Sequence, residues 1–277
     1  MTKVYNRKLK SIEEVKHFGK DSLTKIYGSR LLTRIATSKF VSFLYGLHNG
    51  TSFSKKKIES FIKENAVDMS LYEEKDYKSF NDFFIRKYKE IGFDKEGFIS
   101  PCDGKLLVYK IDDDLRVKVK NTVYSVGELL ESYDYNLADS YMFVYRLSLD
   151  DCHRFYHIDD GKVQRSVRIK GRLHTVSDSS GEYAIYKENE RSYSVLDTVH
   201  FGKVIYMEVG AMLVGRIINH DNKEFERGQE KGYFLPGAST VIIIASGIKV
   251  DDDIIQYSLR NIECKVNIGD RVGEKIC

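Results

Sequence analysis

The pattern of apolar and polar positions divides the chain in two. From residue 11 to about residue 90, apolar residues recur at spacings of three and four with sparse glycine, which predicts helices. The clearest stretch is SRLLTRIATSKFVSFLYGL, 29–47. Leu32, Ile35, Ala36, Phe40, Phe43, Leu44 and Leu47 fall on one stripe, Arg30, Arg34 and Ser38 fall on another face, and Gly46 marks the end. A second amphipathic helix is predicted over 54–74 and a third over 79–91. The third has Ser79 as N-cap, Asp82 in its first turn, and Phe80, Phe83, Phe84, Tyr88 and Ile91 on its apolar side.

Past Phe93 the period changes. Short Val/Ile/Tyr runs alternate with Gly- and Asp-rich turns, as in GKLLVYKIDDD, SYMFVYRLSLDD and KVIYMEVGAMLVGRII, and these predict strands. One helix, VGELLESYD at 126–134, interrupts them. ECKVNIGDRVGEKI at 263–276 has the form strand, tight turn, strand, with Gly269-Asp270 at the turn. The predicted fold class is therefore α+β: a helical region over 1–92, followed by a β-rich domain over 93–277.

Composition narrows the class. The chain has 277 residues, two prolines and 31% charged residues, which fits a globular protein without a long disordered linker. Cys102, Cys152, Cys264 and Cys277 show no CxxC or metal spacing, and no signal-peptide pattern is seen, so free thiols in a reducing cytosol are expected. No apolar run approaches the roughly 20 residues that span a bilayer. Charge is uneven: residues 1–60 hold 13 Lys+Arg against 4 Asp+Glu, although the whole chain is only +3. A basic N-terminal part with a Phe/Leu stripe fits a helix lying on anionic lipid. A helix packed on the core gives the same stripe, and periodicity alone leaves both readings open.

Three segments carry reactive side chains. In SPCDGKL, 100–106, Asp103 sits where a carboxylate on a rigid turn could orient a histidine; the plainer reading is a Pro/Asp-Gly turn. In SLDDCHRFYHIDDG, 148–161, His153 and His157 have the i, i+4 spacing of metal ligands on a helix. The Phe/Tyr/Ile content and Gly161 argue against a helix there, so no metal is expected. In YFLPGASTVIII, 233–244, Ser239 follows Gly237 and Ala238, small residues that permit strained backbone. Serine, histidine and aspartate from separate segments form a nucleophile, base and orienter set, although the G-x-S-x-G elbow of hydrolases is absent.

Several of these segments, in order and nearly end to end, resemble the phosphatidylserine decarboxylase family in its short bacterial proenzyme form. SFNDFFIRKYK resembles the family's Phe-rich helix, SPCDGKL its Asp-Gly segment, and LSLDDCHRF its Asp-aromatic-His-Arg segment. ENERSYSVL and VIYMEVGAMLVGRI resemble the strands that follow, and FERGQEKGYFLPGASTVIII resembles its self-cleavage segment. The resemblance implies a precursor cut between Ala238 and Ser239 into a β chain (1–238) and an α chain (239–277). Ser239 would become a covalent pyruvoyl group. That cofactor would form a Schiff base with phosphatidylserine and release phosphatidylethanolamine.

It further implies Asp103 as the charge-relay carboxylate, Ser239 as the cleavage serine, and His153 as the histidine of substrate handling and proton transfer. The second family histidine, the usual base, falls on Tyr156, and a phenol of pKa about 10 is a poor base at neutral pH. His157, one residue on, or His174, on an adjacent strand, would replace it; the His157 route needs a one-residue shift that flips side-chain faces. Ala238 also departs from the family's glycine. A peripheral protein on the cytoplasmic face of the cell membrane, tending to dimerise and binding no nucleic acid, is expected. A soluble amino-acid decarboxylase, an uncleaved relative and a serine hydrolase are the competing readings. The terminal hairpin resembles the swing-arm hairpin of lipoyl-type barrels, with no lysine at its tip.

Overall fold

The computed structural model describes residues 2–15, 25–112, 114–119, 122–135, 137, 139–174, 185–212, 216–237 and 239–276. Eighteen strands lie within them: β1 (Thr2–Asn6), β2 (Ser11–Val15), β3 (Phe98–Ile99), β4 (Gly104–Lys110), β5 (Arg116–Val119), β6 (Thr122–Ser125), β7 (Tyr141–Leu147), β8 (Arg154–Tyr156), β9 (Gly161–Ile169), β10 (Arg191–Thr198), β11 (Gly202–Gly210), β12 (Ile217–Asn219), β13 (Glu224–Phe225), β14 (Glu230–Phe234), β15 (Ser239–Ala245), β16 (Ile248–Val250), β17 (Glu263–Val266) and β18 (Arg271–Lys275). Ten form one sheet in the order β13-β9-β10-β11-β15-β7-β4-β17-β1-β2. A second sheet, β12-β14-β8, carries the segment that leads toward Ser239.

β15 runs through the middle of the large sheet, antiparallel to β11 on one side and β7 on the other. All seven of its residues are buried, which is why Val241, Ile242, Ile243 and Ile244 read as a continuous apolar run instead of alternating. β9, nearer the edge, keeps exposed polar residues such as Lys162 and Gln164.

The β-rich region is as expected; the N-terminal region departs from a purely helical one. Residues 2–15 form a hairpin, and β1 pairs parallel with β17, so the chain start completes the large sheet. The helix expected over 29–47 is two helices, Arg30–Ala36 and Lys39–Asn49. Ser38 ends the continuity because its hydroxyl accepts from the Val41 amide and caps a new helix. The helix expected over 54–74 is a 3-10 turn (Ser52–Lys57) and a short helix (Ile58–Glu64), stopped where Ala66 takes φ 50°.

The helix expected over 79–91 ends at Phe84, with Ser79 as its N-cap. Beyond it the chain is no longer helical: Tyr88 bridges Tyr72, and the Ile85 carbonyl accepts from Arg154 Nε. The helix expected over 126–134 covers Val126–Leu130 and stops at Glu131, where φ is 47°. The terminal strands are not a hairpin. The turn at Gly269 (φ 82°) is present, but β17 pairs with β1 and β4, whereas β18 pairs with β16 and β3. Each strand finds a neighbour in a different sheet, so the turn joins two layers.

The stripe on the paired helices is exposed. Leu32, Ile35, Phe40, Phe43, Leu44 and Leu47 are all large apolar residues open to solvent, and the buried members of these helices are Thr33, Ser42 and Asn49. No helix among the described residues is long and apolar enough to cross a membrane.

Because β15 is held on both sides and buried on both faces, truncating it should weaken the whole sheet. Ile243→Ala should destabilise the protein by about 2–5 kcal/mol in denaturant unfolding.

Candidate active site

Antiparallel pairing brings one end of four neighbouring strands together. Ser239 opens β15, opposite Leu147 at the end of β7 and Gly210 at the end of β11. Asp103 precedes β4, whose Lys105 pairs with Arg146 of β7. Asp103, the loop after β7 and Ser239 therefore sit at a common end. Ser239 is fully buried, and its hydroxyl has no hydrogen-bond partner among the described residues. Just before it, Gly237 takes φ 142°, a value that favours glycine. Ala238 lies outside the described residues.

The loop after β7 is fixed from several directions. The Asp151 carboxylate accepts from the Ser148 amide (2.6 Å) and from Lys105 Nζ (2.8 Å). The buried Arg86 donates to the carbonyls of Asp150 and Asp151 while its guanidinium lies over the Tyr72 ring. His153 hangs from this loop, packed on Phe84 with ring centroids 4.1 Å apart. Its Nδ1 lies 3.0 Å from the Asp151 carbonyl oxygen. A carbonyl only accepts, so Nδ1 carries the hydrogen and Nε2 the lone pair. That Nε2 is buried without a partner among the described residues. Burial, then the Arg86 charge, lower the His153 pKa to about 3, so the ring is neutral at physiological pH.

Asp103 is buried and accepts from the Tyr88 hydroxyl (2.6 Å), the Cys152 amide (3.1 Å) and the Ile268 amide (2.9 Å). Among the described residues no histidine bonds Asp103, so the expected Asp103–histidine contact is not seen there. Burial, then the nearby Asp151, raise its pKa above the ordinary value. Tyr156 packs on the same side, with Tyr72, Cys152 and Ile268.

The two candidate replacements for the second histidine separate. His157 stacks flat on Phe225, with ring centroids 3.8 Å apart. Phe225 pairs with Gly161, which pairs with Thr198, which pairs with Gly202 at the start of β11. His157 is thus directed toward the far end of the sheet from Ser239, beside an open cavity of about 910 Å³ lined by Phe225, Asp197 and Glu224. His174 stays at the near end. The Asn189 side chain bonds both the His174 backbone and the carbonyl of Gly210, the residue opposite Ser239. The ring is buried, with Nε2 3.4 Å from the Glu188 carboxylate and Nδ1 3.5 Å from the Tyr27 hydroxyl. Burial lowers its pKa and Glu188 opposes this. The amide of Leu173 donates to the carbonyl of Thr37, and Lys39 pairs with Glu190 at 2.7 Å, so the paired N-terminal helices rest against this same segment.

Residues 80–274 match the family model described as phosphatidylserine decarboxylase. The chain belongs to the phosphatidylserine decarboxylase family. It is 45% identical to phosphatidylserine decarboxylase proenzyme 2 of Clostridium acetobutylicum, with 98% of each chain covered. It is 38% identical to the phosphatidylserine decarboxylase proenzymes of Clostridium tetani and Clostridium novyi, over the whole of this chain.

Within this family member, sequence reasoning missed Tyr88, Arg86 and the Glu188-Asn189 pair. Tyr88 was counted only on an apolar face, and Arg86 sat unremarked in the Phe-rich motif. Glu188 and Asn189 open ENERSYSVL, which the resemblance reads as a strand. Among the described residues, no group of three or more His, Cys, Asp or Glu is arranged to hold a metal.

The two strongly shifted histidines set a pH dependence. Burial holds His153 and His157 each at about 3, below the ordinary value near 6.5, so the unfolded chain binds more protons between these limits. The stability these two histidines contribute is therefore complete above about pH 6.5 and is lost as pH drops toward about 3. In a Ser239→Ala precursor, His157→Phe should reduce that slope by about 1.4 kcal/mol per pH unit, read by denaturant unfolding at several pH values.

Proposed function

We propose that this protein is a self-processing carboxy-lyase that converts phosphatidylserine to phosphatidylethanolamine, using a pyruvoyl group made from Ser239. The observation that carries the reading is the buried Ser239 hydroxyl, without a hydrogen-bond partner among the described residues, at the head of a strand fixed on both sides. A buried hydroxyl left without a partner costs about 1–3 kcal/mol, which fits a group held for reaction and not for packing.

In cleavage, Ser239 Oγ gives its proton to a base and bonds the carbonyl carbon of residue 238. The C–N bond breaks and the Ser239 nitrogen takes a proton. Loss of the Ser239 Cα proton then breaks the Cβ–O bond and frees the carboxylate of residue 238. Water hydrolyses the resulting dehydroalanine, releasing ammonia and leaving the ketone. We assign the base to His174, with Glu188 orienting the ring and stabilising its protonated form. Asp103 ties the Cys152 turn to the Ile268 turn and so supports His153. His153 holds the proton-transfer position at Nε2, because Nδ1 is committed to the Asp151 carbonyl. The pyruvoyl ketone supplies the electron sink that decarboxylation of an amino acid needs.

The diacyl substrate is met at a membrane. The apolar stripe on the two N-terminal helices is exposed, Arg30, Arg34 and Lys55–Lys57 lie near it in the chain, and Thr37 links these helices to the His174 segment. This supports peripheral docking on anionic lipid, with the helices beside the site.

Phosphatidylserine vesicles should yield phosphatidylethanolamine with the wild-type protein and none with Ser239→Ala, and hydroxylamine, a carbonyl reagent, should block the wild-type reaction. Absence of product from a fully folded wild-type protein would count against the assignment. Replacing both Phe40 and Phe43 by Asp should weaken vesicle binding by about 100-fold, measured by sedimentation.

A further inference from the structure

Asn189 is fully buried, and both polar atoms of its amide are bonded. Oδ1 accepts from the His174 amide at 2.8 Å, while Nδ2 donates to the His174 carbonyl at 2.8 Å and to the Gly210 carbonyl at 2.8 Å. Binding the N–H and the C=O of a single residue fixes the direction in which its side chain leaves the backbone. The third bond refers that direction to Gly210, which stands opposite Ser239 in the sheet. One acceptor and two donors on a short planar group is a combination that aspartate, serine and leucine of similar or smaller size do not offer.

The surrounding backbone does not need this side chain to hold its course. The Arg172 amide donates to the Glu188 carbonyl and the Glu190 amide to the Arg172 carbonyl, both at 2.8 Å. The Gly210 amide donates to the Glu190 carbonyl at 2.9 Å, and the Leu173 amide to Thr37 at 3.1 Å. Gly171 lies so close to this strip that a Cβ there would stand 2.4 Å from the Asn189 carbonyl carbon. The segments are already paired by backbone alone; the Asn189 amide adds the orientation of one residue, His174.

We propose that Asn189 is a positioning residue for self-cleavage, setting His174 against the peptide that enters Ser239. The proposal rests on the reading of His174 as the cleavage base. A misplacement of about 1 Å costs on the order of 100-fold in rate, so this clamp is expected to matter by that factor.

The test follows cleavage of full-length precursor by mass spectrometry across pH, for wild type, Asn189→Ser and His174→Ala, with thermal melts of each. Asn189→Ser should fold, cleave about 100-fold more slowly, and shift the acid limb of its rate profile to higher pH, as a loosened His174 returns toward its ordinary pKa near 6.5. A rate within about threefold of wild type, or slowing that is equal at all pH values, would overturn the proposal. A variant that fails to fold assigns Asn189 to the fold and overturns it as well. If His174→Ala cleaves at the wild-type rate, the base reading itself falls; if it stops while Asn189→Ser matches wild type, only the clamp falls.

Discussion

The register of β15 between β7 and β11 is the constraint on which the rest depends. It places Ser239 opposite Leu147 and Gly210, with no freedom to slide, because a one-residue slip would turn every side chain to the other face. Both faces of β15 are buried, so both would resist. A hydroxyl held in this way can be left without a partner, since the strand behind it supplies the stabilisation the hydroxyl itself lacks. The loop bearing His153 follows from the end of β7, and the strip bearing His174 is tied to the end of β11. The site is in this sense a property of the end of a sheet, assembled from three chain segments that the pairing brings side by side.

Burial does the electrostatic work around it. His153 has one ring nitrogen committed to a carbonyl and the other open, and burial with Arg86 keeps the ring neutral. Asp103 is surrounded by Tyr88 and two backbone amides, so its carboxylate links the 152 turn to the 268 turn. Where the resemblance implies a second histidine, this chain has Tyr156, and Asp103 meets a phenol from Tyr88. The carboxylate nearest a candidate base is Glu188, beside His174. On the proposed reading, His174 on the neighbouring strip takes the part of the histidine that the family resemblance puts at Tyr156.

Much of this was legible in the sequence. The apolar run at 241–244, the Phe-rich motif and the order of motifs pointed to the β-rich domain and singled out Asp103, His153 and Ser239, whose segments meet at one end of the large sheet. The N-terminal elements were read as longer helices than the chain forms, because hydroxyl caps such as Ser38 compete locally with helix continuation and period alone does not register this. The first hairpin was invisible because its stabilisation comes from β17, more than 250 residues away. Period also could not say that the 29–47 stripe faces solvent, since a core-facing helix and a lipid-facing helix share one pattern. Asn189 was hidden for a related reason: its role is set by three backbone atoms in distant segments, and an asparagine before a strand carries no local sign of that.

Ser239 is the proposed point where the chain opens and the cofactor arises. The intact mass of the purified protein tests this most directly. Two chains that separate between residues 238 and 239, the shorter one lacking a free amine and reacting with a carbonyl reagent, are the predicted result. A single folded chain of full length that persists on prolonged incubation would contradict it.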